Sequence, residues 1–268
     1  MICNNCPHKC DIKNGFNGVC KTRDIKDGKI ISLNYGKVTS LALDPIEKKP
    51  LKHFMPGSYI LSAGFWGCNL KCPWCQNDSI SRGEAKSIFI SPEELVHKAL
   101  TIKDNIGIAY TYNEPLISLE FVKETAELAC KKDLKNVLVT NGMVSEDAFA
   151  ELIPYIDALN VDLKTIDPQK YKSIGGDLDA ILKTIETSSK TAHVEATTLI
   201  VPGFNDDEKE MRELAKTLAQ INKNMVLHVT RFFPAGEMLD AKPTSVQAVY
   251  AFADIAREYL NYVYEGNV

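Results

Sequence analysis

Six apolar runs, spaced along the chain from residue 58 onward and separated by segments of helical spacing, constrain the fold more than any other feature. The runs YILSAGFWG (59–67), IGIAYTY (106–112), NVLVT (136–140), DALNVDL (157–163), HVEATTLIV (193–201) and MVLHVTRF (225–232) read as buried strands. Between them, Ser91 precedes a helical pattern with Pro92 at the first helical position and Glu94 three residues after the cap, which is a capping box. Segments 116–132, 206–221 and 245–260 also carry apolar residues at helical spacing. Strands alternating with helices predict an α/β fold with a parallel sheet and right-handed crossovers. The pattern alone leaves open whether that sheet closes into a barrel.

The first 57 residues differ. They hold a four-cysteine cluster, a predicted hairpin of KIISLNYG with KVTSLALD, and DPIEKKPLKHFMPGS, whose three prolines read as an irregular connector. A domain boundary is therefore expected near residue 57, with 1–57 a metal-binding appendage and 58–268 the α/β domain. A chain of 268 residues suits one large domain with a small addition. The net charge of −4 argues against a broad electrostatic grip on nucleic acid and leaves a local basic patch open. Residues 1–12 lack the apolar run of a signal peptide, and no apolar stretch reaches a membrane span. A cytoplasmic location is expected, where thiols stay reduced.

Eight cysteines in such a chain read better as metal ligands than as a disulfide framework. Cys3, Cys6, Cys10 and Cys20 form C-x2-C-x3-C-x9-C, a set that suits tetrahedral zinc or an auxiliary iron–sulfur cluster. His8 lies between these ligands. Cys68, Cys72 and Cys75 form C-x3-C-x2-C in GCNLKCPWCQN, with no fourth cysteine or histidine nearby. Three thiolates on one short loop can each hold one iron of a cubane cluster, which leaves a fourth iron free to bind a reactant. Zinc would need a fourth ligand, which His53 or His228 could supply from afar. Cys130, in a helical pattern, reads as a small buried apolar side chain without a role.

The polar motifs fall at strand ends. The three-cysteine loop follows the first strand, Asn113-Glu114-Pro115 the second, and Thr140-Asn141-Gly142 ends the third. Asp162-Leu163-Lys164 ends the fourth and Val201 to Asp206 the fifth. Parallel α/β folds build their active sites at the carboxyl ends of their strands. TNG and VPG alone are adequately read as tight turns. Glu114 beside an aromatic-rich strand, and Lys164 next to Asp162, are not.

GCNLKCPWCQN, with Trp74 before its last cysteine, resembles the signature of radical S-adenosylmethionine enzymes. YTYNEP, VTNG, NVDLK and LIVPGFND look like the glycyl-radical-enzyme activases related to pyruvate formate-lyase activating enzyme. DPIEKKPLKHFMPGS and the CPHKC opening are similar to the AmmeMemoRadiSam-system branch, so the likeness covers nearly the whole chain. The resemblance implies a partial (β/α)6 barrel and a [4Fe–4S] cluster on Cys68, Cys72 and Cys75, with S-adenosylmethionine bound to the vacant iron. It implies that Asn113 and Glu114 match a Gly-Gly-Glu-type motif, with Glu114 accepting from the methionine amino group, and that Lys164 pairs with the carboxylate beside Asp162. Asn77, Thr140 and Asn141 would border the cofactor, Trp74 and Val201 the adenine, and His228 the ribose. One charge of each sign suits a zwitterionic amino acid. The chain departs from the pattern at Val139, where activases often carry an acidic residue that helps form a monovalent-cation site. Longer members of the branch continue past YVYEGNV into a cysteine-bearing tail.

The implied activity is reductive cleavage of S-adenosylmethionine to a 5′-deoxyadenosyl radical, fed by an electron donor such as flavodoxin or ferredoxin. The hydrogen donor would be a glycyl radical enzyme, or else a small molecule, peptide or RNA. A metal-bearing scaffold that binds a partner protein is the non-enzymatic reading. Arg231, in RFFPAGEM after the sixth strand, is placed either to bind an anionic group or to make a structural ion pair. Oligomeric state is not encoded in any of these motifs.

Overall fold

The computed structural model describes residues 1–13 and 15–268. The chain begins with β1 (Arg23–Lys26) and β2 (Lys29–Ser32), joined antiparallel through Asp27-Gly28, followed by β3 (Lys37–Val38) and β4 (Ser40–Pro45). Then come β5 (Tyr59–Gly64), β6 (Ile88–Phe89), β7 (Asn105–Thr111), β8 (Lys135–Thr140), β9 (Ala158–Asp162), β10 (His193–Ile200), β11 (Val226–Arg231) and β12 (Tyr262–Gly266). Among the described residues the main sheet has eight strands in the order β12-β11-β10-β9-β8-β7-β5-β4, and β3 pairs with β6 apart from it. From β5 through β12 every pairing in the sheet is parallel; β4 lies antiparallel on the outer edge of β5. All six expected strands form. So do the expected helices: Pro92–Thr101 carries the capping box on Ser91 and Glu94, Leu119–Cys130 follows a 3-10 turn, Glu208–Ile221 is capped by Asp207, and Val246–Arg257 by Ser245.

Two differences concern the strands. The hairpin expected between KIISLNYG and KVTSLALD does not form, because the Asp-Gly turn folds β2 back on the residues before it. SLALDP instead becomes β4, with Ser40 opposite Gly64 and Pro45 opposite Tyr59, so paired strands lie on either side of residue 57. A seventh parallel strand, β12, adds to the far edge beside β11.

Side-chain alternation along the strands divides the interior. Leu61, Ile108, Tyr110, Leu138 and Leu159 face the helices and share the large core with Leu95, Phe121, Ile181, Leu214 and Phe252. Their immediate neighbours Ile60, Ala109, Val137 and Ala158 turn to the other side, as the two-residue period of a strand requires. There they meet Ile46 and Leu51 of the connector, both fully buried. Small alanines on the strands make room for these two larger side chains. The proline-rich connector is thus the floor of the curved sheet, and burial of each such side chain stabilises it by roughly 1.5–3 kcal/mol. Above this floor, toward the carboxyl ends of the strands, the concave face is open.

Candidate active site

The open part of the concave face is a cleft of about 750 Å³, within the range of small-molecule sites. Cys68, Cys72, Cys75, Glu114, Lys164 and His228 all line it. Parallel register brings them together. Asp162, Thr197, His228 and Tyr264 occupy one rung across β9 to β12, and Gly64 at the end of β5 sits opposite Thr111 at the end of β7.

The cysteine loop is held from several sides. Asn113 accepts from the Phe65 amide at 3.1 Å and donates to the Gly67 carbonyl at 2.9 Å, which ties the end of β7 to the entry of the loop. Asn77 at the loop's exit donates to the Tyr112 carbonyl at 2.7 Å. Tyr112 itself has φ +71°, a left-handed conformation uncommon for a side chain of this size and typical of the strain stored at functional sites. The Asn141 side-chain Nδ2 lies 3.8 Å from the Cys68 sulfur. Above the loop, Gly236 (φ +59°) presses so close to Pro73 that an added Cβ would lie 2.5 Å from its carbonyl oxygen, and the Glu237 amide donates to that oxygen. Arg82 donates to the Cys72 carbonyl and pairs with Glu237.

Glu114 is 1% exposed. Its carboxylate accepts from Thr140 Oγ1 (2.7 Å), the Leu116 amide (2.9 Å) and the Asn141 amide (2.7 Å). Burial pushes its pKa up to about 7; these three donors oppose the rise, and the negative charge of Asp162 adds to it. Three donors fill three of roughly four lone-pair positions, so one acceptor position remains. Lys164 lies across the cleft, its Nζ 3.0 Å from Asp162. Burial works against its charge, but Asp162 and Cys72 outweigh that and hold Lys164 protonated. Burial also raises the Cys68 and Cys72 thiols, with Glu114 adding to Cys68 and Lys164 opposing at Cys72. The site thus offers a cation, a carboxyl group with one acceptor position left and three thiols that an electrophilic metal centre would deprotonate.

Trp74 packs on Phe204 of the turn after β10, with ring centroids 4.4 Å apart, and borders the cleft. Val201 does not border it. The residue is fully buried, its amide donating to Asn205 Oδ1, while Phe204 of the same turn packs on Trp74. His228 donates to Glu195 at 2.6 Å, and His53 hydrogen-bonds with the Tyr264 hydroxyl at 2.7 Å, so neither histidine turns to the cysteine loop. Arg231 donates to the Thr244 carbonyl and lies over the Phe233 ring, and it forms no ion pair among the described residues, so the structural ion pair weighed for it does not form. The four N-terminal cysteines line a separate small cavity with His8 and Arg23. Cys130 is exposed rather than buried as expected, because it is the last residue of its helix, with its thiol near the Tyr155 carbonyl.

Two groups were not anticipated from sequence. Glu195 is fully buried and accepts from His193, His228 and the amides of Lys52 and His53. Burial opposes its ionisation, yet these four donors hold the carboxyl down to about 2, and they pin the connector to β10. A lone glutamate within HVEATTLIV is the signal that could have found it, because a buried charge must be matched. Lys49, 2% exposed, pairs with Asp44 at 2.8 Å, while Tyr112 donates to the same carboxylate at 2.7 Å and lies under the ammonium. Lys49 and Tyr112 line the cleft, with Asp44 bound to both behind them.

The model of the radical SAM superfamily matches residues 65–215. An uncharacterized protein of Methanocaldococcus jannaschii is 36% identical, over 99% of this chain and 81% of that protein. The pyruvate formate-lyase-activating enzyme of Clostridium pasteurianum is 26% identical over 59% of this chain and 68% of its own length. A domain of the pyruvate-formate lyase-activating enzyme from Bacteroides vulgatus superposes with a TM-score of 0.53 at 18% identity, covering 60% of this chain and 99% of that domain.

Proposed function

The chain belongs to the radical SAM superfamily, and from that premise we propose that it cleaves S-adenosylmethionine reductively in this cleft and uses the resulting radical to abstract hydrogen from a protein glycine. The observation that carries the reading is the meeting of Cys68, Cys72 and Cys75 with Glu114 and Lys164 around one cleft. The donor set fits a [4Fe–4S] cluster: three thiols on a single loop, braced by Asn113, Asn77 and Gly236, with no histidine directed at them. A cluster held by Cys68, Cys72 and Cys75 would supply, once reduced, the electron for cleavage of the sulfonium to methionine and a 5′-deoxyadenosyl radical.

The chain's own residues do the rest. Lys164 offers its ammonium to the methionine carboxylate, and Glu114 uses its remaining acceptor position for the amino group. Thr140 and Asn141 hold that carboxylate in place rather than touching the ligand through it. Trp74 and Phe204 provide an aromatic wall for the adenine, and His228, oriented by Glu195, faces the ribose. Gly236 and Glu237 cover the cysteine loop and keep water and stray hydrogen donors from it.

A glycine on a partner protein as hydrogen donor is supported by the likeness to pyruvate formate-lyase-activating enzymes. Anaerobic incubation with S-adenosylmethionine and dithionite should release 5′-deoxyadenosine and methionine in equal amounts, and Cys75→Ala should abolish both. A glycine-centred radical signal on a candidate partner supports activation. Deoxyadenosine release with no such signal on any candidate points instead to modification of a small molecule, peptide or RNA. No release from fully loaded protein refutes the enzymatic reading.

A further inference from the structure

We propose that Cys3, Cys6, Cys10 and Cys20 hold an iron–sulfur cluster that passes electrons to the centre bound by Cys68, Cys72 and Cys75. The proposal rests on the radical reading of the cleft and assigns the N-terminal segment a redox role within it.

The four cysteines form one site. All line a single small cavity, and a Cβ on Gly18 (φ +78°) would lie 3.7 Å from the sulfurs of both Cys10 and Cys20. The Cys3 amide donates to the Cys10 carbonyl at 2.8 Å, which closes the loop between them. Apart from cysteines, Ile12 is the only buried apolar side chain among the described residues of 1–20. So little core leaves a bound metal group as the remaining source of order.

The site is also tuned. Arg23 is 2% exposed, donates to Glu120 at 2.5 Å and to the Ile117 carbonyl at 2.6 Å, and borders the cavity beside Cys3 and Cys20. A buried cation beside the thiols stabilises an anionic tetrathiolate centre and, where that centre is a cluster, favours its more negative, reduced form.

The two cysteine loops touch. Gly67, which precedes Cys68, lies so close to the N-terminal loop that its Cβ would fall 2.7 Å from the Cys20 carbonyl oxygen. His8 donates through Nε2 to the Asn69 carbonyl at 2.8 Å. The Asn69 side chain accepts from Asn141 at 2.9 Å, and the same Asn141 amide lies against the Cys68 sulfur. A continuous bonded path therefore joins the two sets from behind the cleft, whose lining includes none of the four N-terminal cysteines. An electron arriving by this path does not compete with a substrate for the open face. In the step itself, a low-potential carrier of the flavodoxin or ferredoxin class is oxidised by one electron. The N-terminal cluster is reduced from 2+ to 1+ and returns to 2+ as the electron moves on; no proton or atom is transferred.

The test uses the full chain, prepared anaerobically and reconstituted with iron and sulfide with zinc also supplied. Alongside the wild type stand a Cys68→Ala/Cys72→Ala/Cys75→Ala variant and a Cys6→Ala/Cys10→Ala variant. The triple variant should retain about four irons and no zinc, and the wild type about eight irons. Reduced triple variant should give a paramagnetic signal indifferent to S-adenosylmethionine. The reduced wild-type spectrum should show broadening from coupled spins, absent in either variant. With a photoreduced flavodoxin as donor, reduction of the remaining cluster in Cys6→Ala/Cys10→Ala should slow by at least about tenfold, while dithionite still reduces it. One zinc in the triple variant, or an unchanged flavodoxin rate with both clusters present, overturns the relay. If Cys6→Ala/Cys10→Ala proves insoluble, spin coupling in the wild type decides. Two coupled clusters without S-adenosylmethionine cleavage would refute the reading of the cleft and not the four-cysteine site.

Discussion

Glu114 sits where burial and hydrogen bonding pull in opposite directions, and burial prevails. Its folded pKa of about 7 lies above the ordinary carboxylate value, so the native state holds this proton more tightly than the unfolded chain. The contribution is stabilising below the unfolded pKa and is lost as pH rises toward and through about 7. Chemical denaturation of the metal-free protein should therefore show a larger loss of stability between pH 5 and pH 8 than Glu114→Gln does; equal slopes would contradict the assignment. The groups facing it are Thr140, the Asn141 and Leu116 amides, and more distantly Asp162. Lys49 poses the complementary case. Burial lowers its pKa against the pull of Asp44, and Lys49→Met should cost about 3–5 kcal/mol by stranding that carboxylate. Lys49→Met/Asp44→Asn should cost less than the two single changes together, as a double-mutant cycle would report. Neither Lys49 nor Tyr112 could be singled out in the sequence. Lysine in a polar connector reads as solvated, and a left-handed tyrosine carries no compositional mark.

At the scale of elements, the connector is the part whose role differs most from its sequence pattern. Prolines at 45, 50 and 56 suppress regular structure, and a segment without periodicity gives no hint of which face it buries. Its fold follows from the strands above it: alanines 109 and 158 leave a gap that Ile46 and Leu51 fill, and Glu195 fastens the backbone at Lys52 and His53. Leu51→Ala should destabilise by about 2–5 kcal/mol, measured by denaturation. A loss under 1 kcal/mol would mean that the floor is not packed as described. The six strands of residues 58–232 and their capped helices were legible because apolar runs, Ser91, Pro92 and Glu94 are local signals. β4 and β12 were not, since an edge strand's partner is chosen by tertiary contact rather than by its own few residues.

For the molecule as a whole, parallel register turns separate sequence motifs into a single rim. Cys68, Glu114, Thr140 and Lys164 come from four strand ends and His228 from within β11, and they meet because the strands of the main sheet from β5 to β12 run parallel. The strand-end location of the first four was readable in advance; which of them would touch was not. Val201, adjacent to a rim turn, is fully buried, and Phe204 of that turn packs on Trp74. No helix among the described residues is long and apolar enough to cross a membrane. The central claim is that the three-cysteine loop leaves one iron open to a ligand oriented by Lys164 and Glu114. The most direct measurement is the electron paramagnetic resonance spectrum of the reduced, fully loaded wild-type protein, before and after S-adenosylmethionine is added. The spectrum should shift in the wild type, stay unchanged in the Cys68→Ala/Cys72→Ala/Cys75→Ala variant, and require more ligand to shift in Lys164→Ala. A wild-type spectrum indifferent to saturating S-adenosylmethionine, with the cleft cluster present and reduced, would contradict the account.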